Sequence, residues 1–590
     1  MPVYLLRQAE DLTESREAYK KRKQQLMEEL EAYQFSDIAS IRNLGSFLAD
    51  SGLEHISEMD YPLRLAYEQY LRTQHSRKAV PKYLKMYDRV KQKEIAEQIQ
   101  TLAGQRKYRW CYRNEVLYLR YHPVLELALE FLESRQMEML VWDFSLKCSE
   151  ILKRQIFDTL NFLLETSPSA MMRRIRLLAL QHFYRFCVQN HIEDVGQLEL
   201  GEIQKYQDML AEQGCQAEKK YMPVVNICRK RAFLNAEEIC WNATVWYVER
   251  FHFTEERLNK SASLESISFM EIQNQDERAF AQAYMKYELG VTGQAISTIV
   301  RRYQAIRNFL CFLAKEQIRT VDCKGEQIKQ YAMQLQERKI DAKGYNERLS
   351  GIGHYFKFLE VRGYITRVPF RLEYYMQKEI PIHHDRSVEM DVYMEIIQKL
   401  YCFPERLRCM FLHLWCVGLR GSEVCQLKGD AYYMQNGDYW IKVYQVKMKT
   451  YKRIPIPEAL YKIMRVYINR HQIQPEDYIF QNIKGGACLY QTFRIQMLKA
   501  CQEQGIQNGE YLFKSHDYRH TVATMFYDNE VSIQSIRDYL GHSYEEMTRQ
   551  YIDYMPKKIA QANEEFFSNP ENSLASYLKG DSDGERQNLL

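Results

Sequence analysis

Residues 515–554 read SHDYRHTVATMFYDNEVSIQSIRDYLGHSYEEMTRQYIDY. His516, Arg519, His520, His542, Tyr551 and Tyr554 crowd into one stretch whose apolar residues recur at three- and four-residue spacing, the period of amphipathic helices. So many anion-binding and proton-handling groups are poor material for a core. They point to helices that carry a site for a charged ligand.

Outward from this stretch, the preceding segment LRCMFLHLWCVGLRGSEVCQL (407–427) reads as a buried helix, a Gly-Leu turn and a second helix. DYWIKVYQVKMKTYKRIPIP (438–457) has two short runs of alternating character joined by a polar turn, the pattern of a β-hairpin. EALYKIMRVYINR (458–470) returns to helical spacing. The C-terminal part is therefore expected to be helical with a small antiparallel sheet.

The first 370 residues contain little Gly or Pro and read as helical, as in IRLLALQHFYRFCVQ (175–189). The Ser-rich NKSASLESISF (259–269) is a candidate linker, and the proline in YYMQKEIPIHHDRSVEMD (374–391) marks a second break. The expected division is a helical N-terminal region over 1–258, a linker over 259–275, a helical domain over 276–375, a linker over 376–386, a further domain over 387–562 and an acidic tail over 563–590. Three stretches, from Ile41, Arg176 and Tyr303, share an aromatic-rich amphipathic helix followed by a polar turn and an aliphatic residue, so related helical modules are expected.

At 590 residues the chain exceeds one hydrophobic core, and 46% apolar residues suffice for several. The net charge of +4 is unevenly spread. Residues 276–370 hold 16 Lys and Arg against 10 Asp and Glu, whereas 561–590 hold 2 against 6. A basic middle suits a polyanion. The 14 cysteines form no CxxC pair or metal-ligand spacing, which disfavours zinc and disulfide frameworks. The start turns charged too early for a signal peptide, and no apolar run approaches the roughly 18 residues of a membrane span, so a soluble cytoplasmic protein is expected.

GLRGSEV, QVKMKTYKRIPIP, HDYRHTVAT, LGHS and a tyrosine nine residues beyond that last histidine resemble, in order and spacing, the catalytic domain of the tyrosine recombinases, or phage-type integrases. The resemblance covers about 385–560. It extends more weakly over 276–370 to that family's helical, SAM-like core-binding domain. The first 250 residues match no part of the two-domain pattern, and are expected to hold one or two core-binding-like DNA-binding modules. The resemblance implies a mainly α fold with a small sheet in the catalytic domain. It assigns the catalytic arginines to Arg420 and Arg519, the hairpin lysine to Lys447, the histidines to His516 and His542, and the nucleophile to Tyr551. Lys449 and Lys452 lie near Lys447, and Tyr554 is the reserve nucleophile.

These residue types fit phosphoryl chemistry. Charge in such a transition state gathers on the non-bridging oxygens, which two permanently charged, fork-shaped guanidiniums can hold. A tyrosine hydroxyl near pKa ~10 needs a base or a positive pocket, so His516 is the expected proton acceptor. Lys447 would protonate the leaving 5′-hydroxyl as a general acid, and His542 would donate a hydrogen bond to the phosphate. The product would be a 3′-phosphotyrosine that a second DNA end can attack. No cofactor and no metal are implied.

The implied partners are double-stranded DNA with specific sites and three further protomers, or a related recombinase, in a tetramer on the bacterial nucleoid. Arg301, Arg302, Arg307, Lys343 and Arg348 are the candidate DNA contacts. The expected activity is site-specific recombination for integration or transposition of a mobile element. The alternatives are relaxation of DNA by a type IB topoisomerase, and a catalytically silent DNA-binding or bridging protein.

Overall fold

In a computed structural model of the chain, the described residues are 16–113, 115–134, 138–212, 217–380 and 386–542. Tyr551, Tyr554 and the tail over 563–590 lie outside them. The chain divides into two compact units, one of residues 1–250 with 266–275, the other of 251–265 with 276–590.

The first unit is built from helices and two short ribbons. Helices α1 (Arg16–Ala32), α2 (Ile38–Asp50), α3 (Tyr61–Gln74) and α4 (Val80–Gln98) bury one core that includes Leu26, Leu44, Leu48, Tyr67 and Tyr87. Strands β1 (Val116–Tyr118) and β2 (Val141–Asp143) pair antiparallel. Helices α5 (Glu150–Thr166), α6 (Ala170–Gln189) and α7 (Ala217–Asn235), with the helix Leu200–Glu212 between the last two as third of the four, pack around Ile156, Leu160, Leu180, Phe183 and Cys228. A second ribbon follows, β3 (Val245–Tyr247) with β4 (Ser266–Ser268).

That ribbon corrects the expected linker over 259–275. Its serines mask an alternation in which Ile267 turns inward while Ser266 and Ser268 stay outward, so the segment pairs as a strand opposite Trp246. Both ribbons are small additions to an N-terminal region that is mostly helical, as expected.

The second unit opens with α8 (Gln275–Gly290), α9 (Ile296–Lys315), α10 (Gly325–Glu337) and α11 (Ala342–Val361), packed through residues such as Ile306, Phe309, Tyr355 and Phe356. Its C-terminal domain contains α12 (Glu405–Val417), α13 (Gly421–Cys425), the meander β5 (Tyr432–Gln435), β6 (Asp438–Gln445) and β7 (Thr450–Pro455), then α14 (Glu458–Arg470), α15 (Tyr490–Glu503), α16 (Ser515–Asp528) and α17 (Ile533–Leu540). The expected hairpin is the β6–β7 pair, with Val443 opposite Lys452 and Ile441 opposite Ile454. β5 is a third strand that the hairpin reading did not include. Ile441, Val443 and Ile454 face the core with Met410, Leu414 and Met464.

The three stretches expected to be related occupy α2, α6 and α9. Each helix ends on a left-handed residue, Gly52 (φ +78°), His191 (φ +56°) and Gln317 (φ +56°). In each, the next amide reaches back five residues: Leu53 to Leu48, Ile192 to Cys187 and Ile318 to Leu313, at 3.2, 2.9 and 2.9 Å. A 3₁₀ turn follows in each case, at Ile56–Glu58, Val195–Gln197 and Thr320–Asp322. Its first amide donates to a side chain of the module's opening helix, Glu29 (2.9 Å), Gln155 (2.9 Å) or Glu277 (2.8 Å). Gln155 and Glu277 stand near the start of α5 and α8, while Glu29 stands near the end of α1. The second and third modules thus agree more closely with each other than with the first.

Candidate active site

Arg420 sits where two short-range rules meet. Gly418 caps α12 in the left-handed region (φ +64°), reversing the chain so that Arg420 becomes the residue before α13. Glu423, three residues on, accepts the Arg420 backbone N–H at 3.0 Å and its Nη1 at 2.8 Å. The guanidinium is thereby aimed by its own helix turn.

Arg519 projects from the first turns of α16 and is fully buried. Its Nη1 donates to the Gly418 carbonyl at 2.9 Å, and its Nη2 to the Leu540 carbonyl at 2.6 Å and to His542 Nε2 at 2.9 Å. A guanidinium only donates, so His542 Nε2 carries the lone pair and the ring proton is on Nδ1. Any hydrogen bond that His542 gives in this arrangement therefore leaves from Nδ1–H.

Glu423 and Lys452 complete the cluster, and sequence reasoning had singled out neither for this role. Glu423 is 3% exposed. Burial opposes its ionisation, but Lys452, Arg519 and Arg420 overcome this and hold the carboxyl down at about 2. Lys452 Nζ lies 3.6 Å from Glu423 Oε2 and donates to the Leu540 carbonyl at 3.4 Å. Burial, with Arg519 and Arg420 beside it, pushes the ammonium down to about 8 against the pull of Glu423. Strand parity was the available signal for Lys452, which shares the inward face of β7 with Ile454. For Glu423 it was the three-residue spacing from Arg420 at a helix start.

Lys447 occupies the turn between β6 and β7 and is exposed. Its pKa is lowered, first by desolvation and then by Arg420, Arg301 and Lys343, so the hairpin tip stands in the same positive field as Arg420. Below the tip, Gln445 Nε2 donates to the Gly541 carbonyl at 3.2 Å. The hairpin is thus joined to the 540–542 turn by Gln445 and Lys452.

His516, one turn before His520 on α16, is pushed down to about 4 by burial and by its neighbours His520, Arg519, Arg420 and Arg386. His542 is pushed down to about 3 by burial, Arg519, Arg420 and Lys452. Both rings are neutral at pH 7, so His516 can accept a proton. Bound phosphate would raise both values by supplying opposite charge.

The structure thus gathers Arg420, Arg519 and His542 around Glu423, sets His516 beside the two arginines, and brings Lys447 into the field of Arg420. Tyr551 lies outside the described residues. Of the five candidate DNA contacts, Arg301 and Arg302 on α9 and Arg348 on α11 line one cleft of about 680 Å³. Lys343 is exposed on the first turn of α11, and Arg307 is half-buried on α9 outside that cleft. Among the described residues no cluster of His, Cys, Asp and Glu could hold a metal ion, and no helix is long and apolar enough to cross a membrane.

Two guanidinium-bearing turns, a lysine-bearing hairpin and an HxxR helix together form a pocket whose charge suits a phosphate ligand. Residues 386–558 match the model of the phage integrase family. Transposase B from transposon Tn554 of Staphylococcus aureus (strain N315) is 27% identical over 328 residues, covering 54% of this chain and 52% of that protein. A tyrosine recombinase of Pseudothermotoga lettingae is 27% identical over 283 residues, covering 46% of this chain and 92% of that protein. The chain spans only 52–57% of the length of the transposases it matches. Among solved structures, a lambda integrase (75–356) dimer bound to a COC′ core site is 18% identical, with 47% of this chain and 94% of that one covered and a TM-score of 0.36.

Proposed function

We propose that the chain is a site-specific DNA recombinase of a mobile element, cutting and rejoining strands through a 3′-phosphotyrosine at Tyr551. The observation that carries this reading is the pair of guanidiniums, Arg420 and Arg519, both coupled electrostatically to one buried carboxylate and to two neutral histidines. Such a pocket offers positive charge to non-bridging oxygens while keeping a proton acceptor uncharged. His516 takes the tyrosine proton, Lys447 protonates the leaving 5′-hydroxyl, and His542 donates to the phosphate. The positive residues of α9 and α11 hold the duplex backbone near the hairpin tip. The reading has the protein acting on the nucleoid, four protomers at a time or alongside a related recombinase.

The test is a nicked suicide duplex carrying the element end, incubated with wild type and Tyr551→Phe in the absence of divalent metal. A covalent protein–DNA band is expected from the wild type and none from the variant. A band that persists in the variant moves the nucleophile to another tyrosine, Tyr554 first.

A further inference from the structure

We infer that the second helical module, residues 150–235, carries its own binding face for duplex DNA backbone, formed by the first turns of α6 and α7. The face rests on the recombinase reading only for the identity of the polyanion as DNA.

The repeat supplies the frame. The second and third modules share the left-handed helix end, the five-residue return bond and the amide or carboxylate cap on the 3₁₀ turn. Counting back from those return bonds at Ile192 and Ile318, Arg176 on α6 stands at the position of Arg302 on α9. Arg302 lines the arginine cleft of the third module, and Arg301 precedes it. Arg173 and Arg174 occupy the same turns of α6. The fourth helix repeats the pattern, with Lys343 on the first turn of α11 and Lys219 and Lys220 on the first turn of α7. The helix pairs α6–α7 and α9–α11 pack against each other within their own modules.

Charge then separates the modules. The second and fourth helices hold nine Lys and Arg against one Asp or Glu in the second module, seven against two in the third and six against four in the first. Four of the nine are committed inside the unit. Arg173 pairs with Glu130, Arg229 donates to Thr244, Lys230 pairs with Glu249, and Arg231 lies over the Phe162 ring. Arg174, Arg176, Arg185, Lys219 and Lys220 have no acidic partner among the described residues, and the last three are exposed. A solvated helix face normally interleaves both signs. One acid among ten charges on two packed helices instead fits a row of phosphates. In the first module, Lys82 at the matching turn is paired with Asp37, at 2.8 Å.

The test uses the full chain and a 60-base-pair duplex of arbitrary sequence, since backbone binding does not need a cognate site. Affinity is followed by fluorescence anisotropy across a salt series. Replacing Arg176, Lys219 and Lys220 together by alanine is expected to weaken binding at least tenfold and to flatten the slope of log K against log salt by about 2 to 3, about 0.9 for each phosphate no longer neutralised. Replacing Lys85, Lys462 and Lys499, equal in charge, outside the second module and each paired with an acid, is expected to leave the slope unchanged. Arg176→Lys, which keeps the charge, should bind as wild type does. A triple variant that melts at the wild-type temperature and keeps the wild-type slope overturns the inference, as does an equal weakening in the control variant. Covalent adduct formation on the suicide duplex is scored separately, so failure of the recombinase reading and failure of this face give different results.

Discussion

Glu423 lies beneath three cations, and its removal exposes what it does. In Glu423→Gln the charges of Arg420, Lys452 and Arg519 lose their common counter-ion in a water-poor site. Breaking a buried ion pair from one side costs about 3 kcal/mol or more. A lower melting temperature is expected together with weaker covalent adduct, whereas a purely structural acid would lower the first alone. The histidines set an acid limit. An unfolded histidine takes up its proton near pH 6.5, but His516 and His542 stay neutral in the fold until about 4 and 3. Between those limits the unfolded chain binds more protons, so the stability is complete above about pH 6.5 and is lost as pH falls through that window. Urea midpoints at pH 7 and pH 5 check this, with the lower value expected at pH 5 and a smaller difference in His516→Asn. Arg420, His516, Arg519 and His542 were legible because each stands in a short string with fixed spacing. Glu423 stood inside one of those strings, yet an acid in a first helical turn reads as an ordinary cap, and only the folded chain brings Lys452 and Arg519 to it.

At the scale of elements, the β6–β7 hairpin and the end of α17 work as one piece. Gly541 holds φ at +70°, and a Cβ there would fall 2.2 Å from Gln445 Nε2. Gly541→Ala therefore meets left-handed strain of about 1–2 kcal/mol and displaces the amide that ties hairpin to turn. A melting temperature lower by several degrees and a slower cleavage step are the expected results, read by thermal denaturation and single-turnover adduct formation. The hairpin was legible from alternation, and the helices from their three- and four-residue period. The ribbons were not, because three-residue strands give too little alternation to stand out against helical neighbours. Ser-rich composition hid β4 in particular, since outward serines look the same on a strand and in a linker.

At the scale of the whole molecule, the chain passes between its two units three times, at 250/251, 265/266 and 275/276. The segment 251–265 is anchored in the second unit. Gln426 reaches Asn259 at 3.0 Å, the Tyr490 amide reaches the Ser261 carbonyl at 2.9 Å, and Arg257 holds the Leu289 carbonyl at 2.8 Å. Composition identified this stretch only as a break in the helical pattern, because its order comes from partners more than 30 residues away. The strand β4 then has a consequence for how the polypeptide could be divided. A cut between the exposed Glu255 and Glu256 severs one covalent path, yet leaves the C-terminal piece holding Ile267 opposite Trp246 and Phe269 against the same ring at 4.7 Å. Separately expressed pieces 1–255 and 256–590 should therefore find each other and co-purify, and Ile267→Asp should abolish that capture. The protein would then be a natural split reporter, its two parts reassembled by a three-residue strand that one part lends to the other.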